Sequence, residues 1–144
     1  MKHNETLKSI LDCLIPASAP HNAPSGADDG IVDTYMEMIA AYKEILEAVL
    51  VGINEGANTF FGQTFIALSS EQKQEIMNGF KENEPEAFGL IASTLLKAYY
   101  QDPRVIGALG MQARAPFPLG FEVEQGDWSL LEPVRQKSKL YRDA

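Results

Sequence analysis

Chemistry in a protein of this kind needs a histidine pair, a reactive thiol, convergent carboxylates or a phosphate-cradling loop, and the sequence offers little of each. The two histidines, His3 and His21, stand in polar or proline-rich stretches without a second ligand at metal spacing, which reads as solvated imidazole rather than a metal site. Asp28, Asp29 and Asp33 resemble an acidic cation site. Carboxylates at a helix start account for them without an ion, and an oxygen-ligand cation needs more convergent groups than these. Ser70 and Lys73 formally fit Ser-x-x-Lys, but they open a capped helix and lack the companion motifs. Cys13, the only cysteine, lies between Leu11 and Leu14 on an apolar face with no basic neighbour to lower its pKa. It reads as a structural thiol, and a lone cysteine makes no intrachain disulfide. There is no Gly-rich phosphate loop, no Cys-x-x-Cys-His and no dinucleotide fingerprint. Catalytic, cofactor-binding and metal-binding residues are therefore not assigned.

The chemistry that does stand out is that of binding. In Tyr99-Tyr100-Gln101-Asp102-Pro103-Arg104 the Asp-Pro pair is a helix start, a carboxylate for the orphan amides followed by a ring that pre-sets φ. The short helix over 103–109 should stop at Gly110, a residue type that tolerates the left-handed end conformation. In Ala115-Pro116-Phe117-Pro118-Leu119-Gly120-Phe121 the prolines exclude a helix or a central strand, so Phe117 and Phe121 must be carried by an extended loop. Such aromatics either lie back on their own core or are offered to a partner. All four arginines (Arg104, Arg114, Arg135, Arg142) fall in residues 97–144. Arginine suits planar, bidentate pairing at interfaces, although salt bridges back to acidic helices would use it equally well. Trp128, the only tryptophan, is expected with Leu131 to pin the tail onto the helices, its alternative being an interface anchor. The partner-binding candidates are Tyr99, Tyr100, Arg104, Arg114, Pro116, Phe117, Phe121, Trp128 and Arg135.

The elements that must position these residues read as helices. Residues 6–15 carry Leu7, Ile10, Leu11 and Leu14 at helical spacing before Pro16, and 16–27 form a loop. A long helix then begins near Asp28 or Asp29. Its apolar stripe is Tyr35, Met38, Tyr42, Ile45 and Val49, widened by Ile39, Leu46 and Leu50, and the helix stops at Gly52 and Asn54-Glu55-Gly56. Asn58 or Thr59 is expected to cap a shorter helix bearing Phe61, Phe65 and Leu68. Ser69 with Gln72 has the capping-box pattern for a helix to about Glu82, and Pro85 opens the next, with Phe88, Ile91, Leu95 and Tyr99 in register. No sustained two-residue alternation founds a sheet. The expected fold is all-α, one helical domain over residues 1–144 with an irregular Pro/Gly-rich segment from about 111.

Charge narrows the partners. The 144 residues carry a net charge of −8, which argues against a general nucleic-acid binder. Residues 1–96 hold five lysines against fourteen acidic groups, whereas residues 97–144 hold seven basic against six acidic groups. The opening Met-Lys-His-Asn-Glu-Thr lacks the apolar core of an export signal and twin arginines, and no run is long enough to span a membrane. A cytoplasmic location is expected, or a periplasmic one if a signal-bearing partner exports the folded chain.

The quoted run from Tyr99 to Ile106, the run from Gly110 to Glu122, Asp127-Trp-Ser-Leu-Leu-Glu-Pro-Val-Arg and the closing Tyr141-Arg142 resemble the gluconate 2-dehydrogenase subunit 3 family. So does the opening, Leu11-Asp-Cys-Leu-Ile-Pro-Ala followed by Ser25-Gly-Ala-Asp-Asp-Gly-Ile-Val-Asp. The resemblance implies a small, cofactor-free accessory subunit that accompanies a flavin-dependent sugar or sugar-acid dehydrogenase. FAD, and in some complexes the haem of a multi-haem cytochrome c, would then belong to partner subunits. Many relatives carry an export signal, and here this chain departs from them. The alternative is a stand-alone helical protein of structural or homo-oligomeric role, and an independent enzyme has the least support.

Overall fold

A computed structural model describes residues 5–115, 117, 118, 120, 122 and 124–138. Among them are helices and turns but no strand, the only bridge being between Ser18 and Ala23, so the fold is all-α. The contacts divide the chain into two compact units, Met1–Ala113 and Arg114–Ala144.

In the first unit α1 (Glu5–Leu14) buries Leu7, Ile10 and Leu11. The loop after it turns back so that the Gly26 amide donates to the Ile15 carbonyl at 2.8 Å. Asp28 then caps α2 (Asp29–Ile39), its side chain accepting from the Gly30 amide. α4 (Ser70–Asn83) opens on the capping box anticipated from the sequence: Ser69 Oγ accepts from the Gln72 amide and Gln72 Oε1 accepts from the Ser69 amide. α5 (Pro85–Tyr99) buries Ile91, Leu95, Ala98 and Tyr99, and α2 lies along it. α6 (Pro103–Ala108) starts at the Asp102 cap. It ends in a Schellman motif: Gly110, at φ 75°, donates to the Gly107 carbonyl, and Met111 donates to that of Ile106. Burying a leucine or isoleucine of this core stabilises by about 1.5–3 kcal/mol.

Three expectations are corrected between residues 28 and 68. The long helix is two helices, α2 and α3 (Lys43–Phe61), separated by a 3₁₀ turn over Ala40–Tyr42. The break lets α2 pack chiefly on α5 and α3 chiefly on α4. The residues buried are Ile31, Val32, Tyr35 and Ile39, then Leu46, Val49, Ile53 and Ala57, leaving Met38, Tyr42 and Ile45 of the expected stripe exposed. Second, α3 runs through Gly52 and Gly56 and stops only at Gly62 (φ 68°), whose amide donates to the Asn58 carbonyl. Packing of Ile53 and Ala57 outweighs the modest penalty of glycine in a helix interior. Third, Asn58 and Thr59 lie inside α3, and Phe65–Ala67 is a single 3₁₀ turn with Thr64 before it.

Asn54, expected in a turn, is instead a hub. Its amide donates to Thr6 Oγ1 of α1 and to the Leu50 carbonyl, and its Oδ1 accepts from the Phe65 amide at 3.2 Å. Tyr35 is fully buried, and its hydroxyl has no hydrogen-bond partner among the described residues.

In the second unit Asp127 caps a 3₁₀ turn, Trp128–Leu131, that runs into α7 (Glu132–Arg135).

Candidate partner-binding surfaces

The predicted run at residues 99–104 begins with a buried anchor. Tyr99 is 7 % exposed and its hydroxyl donates to the Pro24 carbonyl at 3.0 Å, so it holds the loop before α2. Tyr100, packed edge-on against it with ring centroids 5.6 Å apart, is half exposed. Two residues on, the Arg104 guanidinium spans two carboxylates. Nη1 and Nη2 donate to Asp28 at 3.0 and 2.6 Å, while Nε and Nη2 donate to Asp102 at 3.0 and 2.7 Å. One arginine thereby ties the cap of α2 to the cap of α6, the internal use of this residue weighed against an interface use above.

These contacts fix the electrostatics of the junction. Hydrogen bonds from Arg104, helped by backbone amides at the helix starts, hold both Asp28 and Asp102 below the usual carboxylate range, and the two carboxylates push Arg104 further up. A depressed carboxylate contributes stability that is complete above its unfolded pKa and lost as pH falls through its folded pKa. Arg104→Gln is therefore expected to lower the urea midpoint at neutral pH. Its deficit against the wild type should shrink as pH drops below about 3.8, the unfolded value of both carboxylates. Urea titrations of both proteins at pH 7 and pH 3 check this. A deficit of equal size at both would break the assigned linkage.

The remaining sequence candidates lie in the second unit. Arg114 donates from Nη2 to the Gly120 carbonyl at 2.6 Å and so braces its own loop. Phe117 is 86 % exposed on that loop. Pro116 and Phe121 lie outside the described residues. Trp128 is 64 % exposed, its indole N–H donating to Gln125 Oε1, with Leu130 and Val134 also exposed. Arg135 pairs with Glu132 one turn earlier. Within its own unit Trp128 is thus not a packed anchor.

A surface that the sequence reading missed runs along α3. Between α3 and the α4–α5 hairpin lies an open groove of about 690 Å³. Val49, Ile53 and Ile76 form its floor, and Ile45 and Phe60 stand exposed at its ends. Ala48, Gly52 and Gly56, one per turn of α3, and Gly79 of α4 keep it clear. The signal was present as small residues at every fourth position beside Val49 and Ile53, but the two glycines were read as a helix stop. On the α4 side the groove continues onto a shelf bearing Glu71, Glu75 and Glu82.

Burial raises the pKa of the half-buried Cys13 thiol, although a basic neighbour is present after all: the Lys73 ammonium of α4, distant in sequence, opposes the rise without reversing it. Among the described residues no three His, Cys, Asp or Glu side chains converge on a metal position, and no helix is long and apolar enough to cross a membrane.

Residues 2–115 match the family described as Gluconate 2-dehydrogenase subunit 3. The chain belongs to this family. The match covers the described helices of the first unit and the groove along α3, and stops as the second unit begins. Among curated proteins and among solved structures no match was found. Membership of the family and the helical fold agree with the resemblance carried by the sequence.

Proposed function

We propose that this chain is a non-catalytic accessory subunit that binds and supports a flavin-dependent dehydrogenase of the gluconate or sugar type. The observation that carries the reading is the family match across residues 2–115, since the family is described as a subunit of gluconate 2-dehydrogenase. In this reading the chain binds no cofactor itself. FAD, and haem where a cytochrome c subunit is included, sit in the partners, because those groups do the redox chemistry while a small subunit supplies positioning and support. The work of this chain is then to present a rigid, helix-built surface. Exposed aromatics suited to an interface are Tyr100 on the first unit, and Phe117 and Trp128 on the second.

The test is purification of the tagged chain from its source cells, with the visible spectrum of the eluate recorded and its proteins identified. The expected result is a flavin band with a large oxidoreductase in fixed stoichiometry. A colourless eluate holding this chain alone would overturn the reading. In the same assay, joint replacement of Phe117 and Arg114 by alanine should weaken retention of the flavoprotein while leaving the far-UV circular dichroism unchanged.

A further inference from the structure

We propose that the groove along α3 receives an amphipathic helix of the dehydrogenase partner, apolar face inward and basic residues along the α4 edge. This rests on the accessory-subunit reading above. Three features point to that occupant. The first is shape. From Ile45 to Phe60 the trough follows α3 for fifteen helical steps, about 22 Å at the helical rise, which is the length of a four-turn helix. The small side chains of Ala48, Gly52 and Gly56 recur along that length and let another backbone come close. The second is chemistry. The walls are mainly aliphatic and aromatic, and Phe60 and Ile45 at the two ends are 74 % and 43 % exposed. A helix laid into such a trough is read by anchors at i, i+3, i+4 and i+7.

The third feature is charge. Glu75 and Glu84 line the groove, and Glu71 and Glu82 lie on the shelf beside it. Among the described residues none of these four is in an ion pair. The two lysines of α4 are turned to aromatic rings, Lys73 at 5.9 Å from the centroid of Phe65 and Lys81 at 6.0 Å from that of Phe88, and among the described residues neither is in an ion pair with these carboxylates. An apolar trough with one anionic edge selects a helix with a cationic flank and steers it by the same field.

The test uses two probes on the full-length chain: a labelled 18-residue helical peptide of leucine and lysine, and its counterpart with glutamate at each lysine. Fluorescence anisotropy is expected to show binding of the lysine peptide, weakened by salt, and at least about tenfold weaker binding of the glutamate peptide. Gly52→Leu combined with Gly79→Leu should reduce binding of the lysine peptide by at least about tenfold. A Cβ at either position meets nothing within 4 Å, so these variants should fold. Gly52→Ala with Gly79→Ala provides a gentler filling, expected to raise the melting temperature while still weakening binding. Gly89→Ala, at an open position of α5 outside the groove, should leave binding unchanged.

Equal affinity of the groove variants and the wild type, or equal affinity for the two peptides, overturns the proposal. So does a wild-type dimer in sedimentation that the groove variants abolish, since a second copy would then be the occupant. Capture from source cells separates this proposal from the reading beneath it. If wild type and Gly52→Leu/Gly79→Leu retain the flavoprotein equally, the groove assignment falls and the accessory-subunit reading stands. If the wild type retains none, the accessory-subunit reading falls and the partner named here falls with it.

Discussion

Phe65→Ala should destabilise the helical unit by about 3–5 kcal/mol, among the largest single-residue effects expected in this protein. Phe65 is fully buried although it sits in a one-turn connection rather than in a long helix. That turn packs against both α1 and α3, and Lys73 stands over the ring. Its backbone is fixed as well, through the bond from its amide to Asn54, whose own amide reaches Thr6 on α1. Truncation would thus leave a ring-sized cavity where three elements meet, in a setting that has little freedom to collapse. A domain of this size is commonly stable by about 5–15 kcal/mol, so the variant should lose much of its margin. Urea unfolding followed by circular dichroism checks it, with the midpoint expected to fall while the slope stays constant. A loss below about 1 kcal/mol would mean that the ring is not packed as described.

The second large effect has an unlikely-looking source, a single methyl group. Gly26→Ala should destabilise by about 1–3 kcal/mol through overpacking. A Cβ at this position would come within 2.9 Å of the Leu11 carbonyl oxygen and 3.3 Å of both Ile15 Cβ and Leu95 Cδ1. The first of these is backbone and cannot swing aside. Moving the glycine outward would break its hydrogen bond to Ile15, which closes the loop between α1 and α2. The control is Gly79→Ala on α4, where the same methyl enters open space in a helix interior and should stabilise by about 0.5–1 kcal/mol. Opposite signs for the two variants in thermal melts are the expected result. A stabilised Gly26→Ala would show that the α1–α2 loop does not lie against Leu11 and Leu95.

Residues with a local physical signature were legible in the sequence. Ser69 and Gln72, Asp28, Asp102 with Pro103, and Gly110 all announce helix ends through groups within a few residues of each other, and the structure uses each in that way. What escaped was decided by distant partners. Gly52 and Gly56 carry the composition of a stop signal, yet α3 continues because Ile53 and Ala57 find buried places against other helices. Ile39 to Leu46 keeps a helical repeat in sequence, so nothing local marks the turn at Ala40–Tyr42 that sends α2 chiefly to α5 and α3 chiefly to α4. Arg104 illustrates the same limit at the candidate surface. Its value as a pairing group was visible, but its use to join two helix caps depends on Asp28, which is 76 residues away. The groove was hidden for a related reason: a concavity is the absence of side chains from two helices at once, and no single stretch records it.

The turn at Ala40–Tyr42 also has a kinetic consequence. It interrupts the α-helical ladder, so fraying of α3 need not propagate into α2, which lies along α5. The two sides of the bundle can then open as separate cooperative units with different free energies. Amide protons of α2 would exchange with solvent through rarer openings than those of α3 beside the glycine-lined trough. Bound protein would differ from free protein mainly on that second side, where slowed deuterium uptake would mark where the partner has come to rest.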